Sequence, residues 1–135
     1  MPFAVLPHTA DFKLRVWGKN PEEVFQAALL AMSKILSEES PSKARVITRT
    51  VKLKAGDRTA LLVDFLSEAL ALAQINREIY REVVFTKLTE QELAAELRGF
   101  SVEKFIKDIK AVTYHEAQVR QNPAGEWETF LVFDI

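Results

Sequence analysis

The sequence predicts an α+β domain, with a mixed and mainly antiparallel sheet packed against two main helices, and three observations carry that expectation. Two long segments combine helix caps with broad apolar stripes. Several shorter runs alternate apolar with charged residues. The two kinds of segment follow one another without the regular rhythm that builds a parallel sheet. With 135 residues, 48% of them hydrophobic and 27% charged, the chain can bury one core unaided. No repeat, low-complexity tract or linker divides it, so residues 1–135 are expected to form one domain.

The first strand is expected at Phe12–Trp17, where Phe12, Leu14 and Val16 share one side until Gly18 ends the run. Asn20-Pro21-Glu22-Glu23 then starts a helix: Asn20 caps it, Pro21 needs no donor in the first turn, and the acids suit the positive helix end. The helix should reach about Leu36. Its stripe of Val24, Phe25, Ala28, Leu29, Met32, Ile35 and Leu36 would lie across a sheet. Ser37 to Ser42, with Pro41, is a loop. Ile47, Val51 and Leu53, interleaved with Arg49 and Lys52, suggest a strand ending at Gly56, and Asp57 caps a second helix from Thr59 to about Arg77. That helix is apolar nearly all round and is expected to be the more buried of the two.

Ile79 to Leu88 is rich in Val, Tyr and Phe and should be a strand. Glu90 to Arg98 is ambiguous, because its composition favours helix while Leu93, Ala95 and Leu97 alternate. Gly99 closes it in either case. Ala111 to Gln121 and Glu126 to Ile135 flank Asn122-Pro123-Ala124-Gly125, a turn composition between strand-like runs, which predicts a hairpin.

Composition excludes several kinds of chemistry. A net charge of −1 supplies no broad positive field for unaided capture of a nucleic-acid backbone. The absence of Cys removes disulfides, thiolate nucleophiles and sulfur-ligated zinc, so any metal must sit on oxygen or imidazole. With 4 Gly and 2 His there is no phosphate-cradling loop, nucleophile elbow or His-rich metalloprotease pattern. The start of the chain lacks a secretory signal, and no later stretch is expected to cross a bilayer, which points to the cytoplasm and to no membrane partner.

Four features are candidates for function. His8 and Asp11 stand in a small, polar stretch at the entrance to the first strand, where an Asp is ordinarily a turn former. The terminal Phe130–Ile135 run ends in Asp134 and the carboxylate of Ile135, either a frayed strand end or a pair of anionic oxygen groups suited to a hard cation. The segment from Lys107 through Lys110 to His115 is a basic approach to a strand; its cations could pair with acids or reach a phosphate, or simply face solvent. Asp64 and Glu68 lie in the apolar second helix, where the simplest placement is outward.

Taken together, His8-Thr9-Ala10-Asp11, the Leu61–Leu70 helix, Lys110–His115 and Phe133-Asp134-Ile135 resemble the archease family, in the family's order and over nearly the whole chain. The length is that of a complete member. Phe65 and Ser67 depart from the family's usual Trp and Asn, on the helix rather than among the candidate ligands. The resemblance implies that Asp11 and Asp134 bind a divalent metal, with the carboxylate of Ile135 as third ligand and Lys110 functionally required beside them. Calcium is the first choice, with manganese or magnesium as alternatives. It adds Glu68, His8 and His115 as further contact candidates, and it implies a strand at Glu90–Arg98. It further implies an accessory role: activation of the RtcB-type ligase that joins RNA 3′-phosphate or 2′,3′-cyclic phosphate ends to 5′-hydroxyl ends in tRNA splicing. The protein would promote guanylylation of the ligase's histidine and repeated turnover by delivering or positioning the metal, with the nucleotide GTP as a further candidate linked through the ligase, touching tRNA halves only through the ligase and catalysing nothing itself. The competing expectations are a small metal-dependent phosphoester hydrolase, a chaperone-like interaction module and direct RNA binding.

Overall fold

The computed structural model describes residues 2–6, 11–39 and 45–135. Along the chain run β1 (Phe3–Leu6), β2 (Asp11–Gly18), α1 (Pro21–Leu36), β3 (Ile47–Lys54), α2 (Arg58–Asn76), β4 (Glu78–Leu88), β5 (Glu92–Ser101), β6 (Ala111–Thr113), β7 (Arg120–Gln121) and β8 (Trp127–Asp134). The α+β class stands, with the strands divided between two sheets. One has the order β1-β2-β8-β6 with β7 also paired to β8, and the other has the order β3-β5-β4. All pairings among the described residues are antiparallel.

Local chemistry sets the helix starts as expected. Asn20 Oδ1 accepts from the Glu23 N–H at 2.9 Å, and Asp57 Oδ1 from the Ala60 N–H at 2.8 Å. Arg77, in the left-handed conformation, ends α2. α1 packs on β2 and β4 and so joins the two sheets, while α2 packs on β3, β4, β5 and β6. The rings of Phe25, Phe65 and Phe85 meet at the centre with centroids 5.9 to 6.1 Å apart. Phe65, one of the departures from the family pattern, is thus a fully buried core residue.

Several expectations need correction. α1 is the more buried helix, with nine of its 16 residues buried against eight of 19 in α2. α2 leaves Ile75 78% exposed, because its apolar residues are spread around the helix and only one side meets the sheets. By length and composition α2 could cross a membrane, contrary to the sequence reading, although Leu61, Leu62, Phe65, Leu66 and others on it are committed to the core. The Ser37–Ser42 loop is described only as far as Glu39.

Gly99 does not close its strand. β5 continues through it to Ser101, because a Cβ there would lie 1.8 Å from the Ile79 carbonyl oxygen, so the glycine permits close approach of β4. A bulge between Tyr80 and Glu82 lies beside it. Arg81, left outside the β4–β5 register, turns to the end of α1, where its guanidinium donates to Ser33 Oγ and the Ser37 carbonyl, both at 2.9 Å. β1, missed in the sequence, adds an outer strand to β2.

The hairpin is present but its first arm is broken. Ala111–Thr113 and Arg120–Gln121 both pair with β8, whereas 114–119 leave the ladder. Its turn is built as composition suggests: Asn122 Oδ1 accepts from the Ala124 and Glu126 N–H groups, and Gly125 takes φ 86°.

Candidate metal site

β8 runs between β2 and β6, and its register brings distant parts of the chain to one end of the sheet. Asp11 is the direct partner of Asp134, and Ala111 faces Asp134 from the other side. Direct antiparallel partners project to the same face. The neighbouring pair Phe12 and Phe133 belongs to the core, with Phe133 fully buried, so the two aspartates occupy the outer face. Asp134 is exposed and Asp11 half-buried.

Lys110 comes to the same end, its main-chain N–H donating to the Asp134 carbonyl at 2.7 Å, and its side chain is exposed. Lys107, where the basic approach read from the sequence begins, places its ammonium 5.2 Å from the centroid of the Phe12 ring, at the same end of the sheet. Ile135 is half-buried against the core. The two carboxylates therefore share the outer face of this tip, and the backbone of Lys110 and the ammonium of Lys107 lie at the same end of the sheet.

The other candidates sit elsewhere. Glu68 is exposed on α2. Asp64, one turn earlier, is half-buried and accepts from the Tyr114 hydroxyl, a bond that raises the Tyr114 pKa. His115 is exposed just beyond β6, with its N–H on Thr113 Oγ1 at 3.3 Å. His8 lies outside the described residues. Among the described residues no three or more His, Asp or Glu side chains converge on one point, so Glu68 does not join the Asp11–Asp134 pair.

Hard, anionic oxygens suit calcium, magnesium or manganese. Two such side chains are a partial shell for an ion that takes six to eight donors, leaving the remainder to water or to another molecule. In donor type the pair fits the expected metal.

Two further features were not legible in the sequence. Glu78, 4% exposed, accepts both arms of the Arg49 guanidinium at 2.8 and 2.9 Å and the Tyr80 hydroxyl at 2.6 Å. The Arg49 contact holds the Glu78 carboxyl below its ordinary range, and burial with the hydrogen bond to Glu78 raises Tyr80. This network ties β3 to β4. A groove of about 560 Å³ lies among Trp17, Gly18, Leu30, Arg81 and Val83, at the opposite end of β2 from the aspartates.

The model of the Archease protein family matches residues 3–135. The protein archease of Methanosarcina barkeri is 33% identical over 98% of this chain and 95% of its own length, and that of Pyrococcus abyssi is 27% identical over 95% and 94%. Two solved structures share the fold. Protein 1598 of Methanobacterium thermoautotrophicum covers 99% of both chains with TM-score 0.76 at 23% identity. A Thermotoga maritima protein described as an archease and possible chaperone covers 96% of this chain and 94% of its own, with TM-score 0.65 at 21% identity. The chain belongs to the archease family.

Proposed function

We propose that this protein is a non-catalytic activator of an RtcB-type RNA ligase and acts through a divalent cation held at the Asp11–Asp134 tip. The observation that carries the reading is the register that makes these two aspartates direct partners, although they stand near opposite ends of the sequence. Family membership supports the accessory role.

In this reading the cation, calcium first and otherwise manganese or magnesium, takes two carboxylates from this chain and completes its shell from the ligase. A partial shell suits transfer or shared coordination better than permanent storage. Lys110 and Lys107 offset the acids around the ion and offer donors to a phosphate on the ligase's nucleotide. In this reading the chain's own parts bind and orient the ion, and among the described residues the one histidine, His115, lies just beyond β6, away from the Asp11–Asp134 pair.

The test is ligation with the ligase substoichiometric to RNA ends carrying 2′,3′-cyclic phosphate and 5′-hydroxyl groups, with GTP present. Added protein should convert a single round into many, and Asp11→Ala and Asp134→Asn should each lose most of the gain. Full stimulation by both variants would overturn the tip mechanism. A chaperone-like module is the second reading, favoured by the description of the Thermotoga maritima relative. It predicts stimulation of an unstable client without any dependence on the two aspartates or on metal.

A further inference from the structure

Lys13 stands on the same face of the sheet as the two aspartates. It is two residues from Asp11 along β2, and, as the partner of Val132, it is the diagonal neighbour of Asp134. A lysine so placed has the reach to sit on either carboxylate. Its ammonium is directed elsewhere: it stands 2.8 Å from a carboxylate oxygen of Glu116 and 5.5 Å from the centroid of the Phe130 ring. Phe130 lies four residues from Asp134 along β8, about 13 Å at the ordinary rise of a strand. The Lys13 charge therefore points away from the tip.

Glu116 is placed by its own segment. The six residues 114–119 leave the ladder between β6 and β7, and Glu116 among them takes a left-handed φ of 60°, uncommon outside glycine. Main-chain and side-chain bonds pin the segment. The Ala117 N–H donates to the Tyr114 carbonyl at 3.1 Å, and the Gln118 N–H to Thr129 Oγ1 and the Val119 N–H to Thr59 Oγ1, both at 2.9 Å. The Tyr114 hydroxyl donates to Asp64. These anchors to β8 and α2 fix where Glu116 can present its carboxylate, and Lys13 follows it.

We propose that Glu116 is a positioning residue for the Asp11–Asp134 tip: by engaging Lys13 it keeps an intramolecular ammonium off the carboxylates that receive the divalent cation. This rests on the cation reading above and deepens it, since it assigns the tip's affinity to a pair outside the ligand set. Without Glu116, the freed ammonium competes as a tethered cation, and binding should weaken by roughly three- to tenfold for charges a few ångströms apart near a solvated surface.

The experiment is calorimetric titration of calcium chloride, repeated with manganese chloride, into the wild type, Glu116→Gln, Lys13→Met, the double variant and Asp134→Asn. Melting curves recorded in parallel check that each is folded. Glu116→Gln should weaken binding three- to tenfold, and Lys13→Met should bind as tightly as the wild type or tighter. In the Lys13→Met background Glu116→Gln should change little, because Glu116 acts through Lys13. Equal affinity of Glu116→Gln and the wild type would overturn the proposal. So would the same loss from Glu116→Gln with and without Lys13, which is the pattern of a bare through-space charge. A wild type that binds neither metal, or an Asp134→Asn variant that binds as well as the wild type, would remove the cation reading itself, an outcome distinct from the other two.

Discussion

Replacing Gly99 with Ala tests the structural claim that β4 approaches β5 where only hydrogen can fit. The added Cβ would lie 1.8 Å from the Ile79 oxygen, 2.7 Å from the Ile79 carbonyl carbon and 2.9 Å from the Tyr80 Cα. A comfortable carbon–oxygen contact is about 3.3 Å, so the shortfall is about 1.5 Å. All three neighbours are backbone, and no rotamer change relieves them. β4 must therefore move away around Ile79–Tyr80, next to the bulge that aims Arg81 at the end of α1. Overpacking of this kind costs about 1–3 kcal/mol, and losing one or two ladder bonds adds about 1 kcal/mol each. A total of about 2–5 kcal/mol is a large part of a typical domain's stability. In urea it would lower the midpoint by about 1–2.5 M for a slope near 2 kcal/mol/M. The melting temperature should fall by about 10–15 °C. Gly56→Ala is the control, since nothing lies within 4 Å of its added Cβ, and it should stay within about 0.5 kcal/mol of the wild type. If Gly99→Ala unfolded at the same urea concentration as Gly56→Ala, the close approach of the two strands would be wrong.

Three further outcomes are expected. Calcium at about 100 times its dissociation constant should stabilise the protein by about 2.7 kcal/mol, read as a rise in melting temperature, and Asp134→Asn should abolish that rise. Glu78 has a folded pKa below its unfolded value because Arg49 binds it, so its contribution is present above the unfolded pKa and disappears as pH falls through the folded one. Urea midpoints measured from neutral pH down through the carboxylate range should therefore fall less steeply for Glu78→Gln than for the wild type. Asn20→Ala removes the acceptor for the Glu23 N–H and should cost about 1 kcal/mol, seen as a lower denaturation midpoint with an unchanged slope.

The elements that sequence made legible are those whose signals are local. Asn20 and Asp57 cap helices because their side chains reach donors three residues away, and that spacing is visible in a string of letters. The alternation of Leu93, Ala95 and Leu97 marks a buried strand face despite helix-favouring neighbours, and pairing on both sides decides the matter. Gly99 was misjudged because glycine ends strands and also permits close contact between them, and only the position of Ile79 distinguishes the two roles. The break at 114–119 depends on anchors at Thr59, Asp64 and Thr129, none adjacent in sequence. At the tip, Asp11, Asp134 and Lys110 were named from residue type and family likeness, while the engagement of Lys13 by Glu116 required coordinates.

The juxtaposition of the two aspartates is decided by the core beneath them and against their own charges. Two like charges about 4 Å apart in water repel by about 1 kcal/mol. Sliding β8 by one residue would relieve this, but the period of a strand would turn Asp134 inward and drive Phe133 and Leu131 to the surface. Both are fully buried, and exposing either would cost about 1.5–3 kcal/mol. Pairing of Phe12 with Phe133 and of Leu14 with Leu131 thus holds the acids together with energy to spare. On the proposed cation reading, an ion bound between them would remove the residual repulsion without moving the backbone, and the residues that preorganise the pair for it would never touch it.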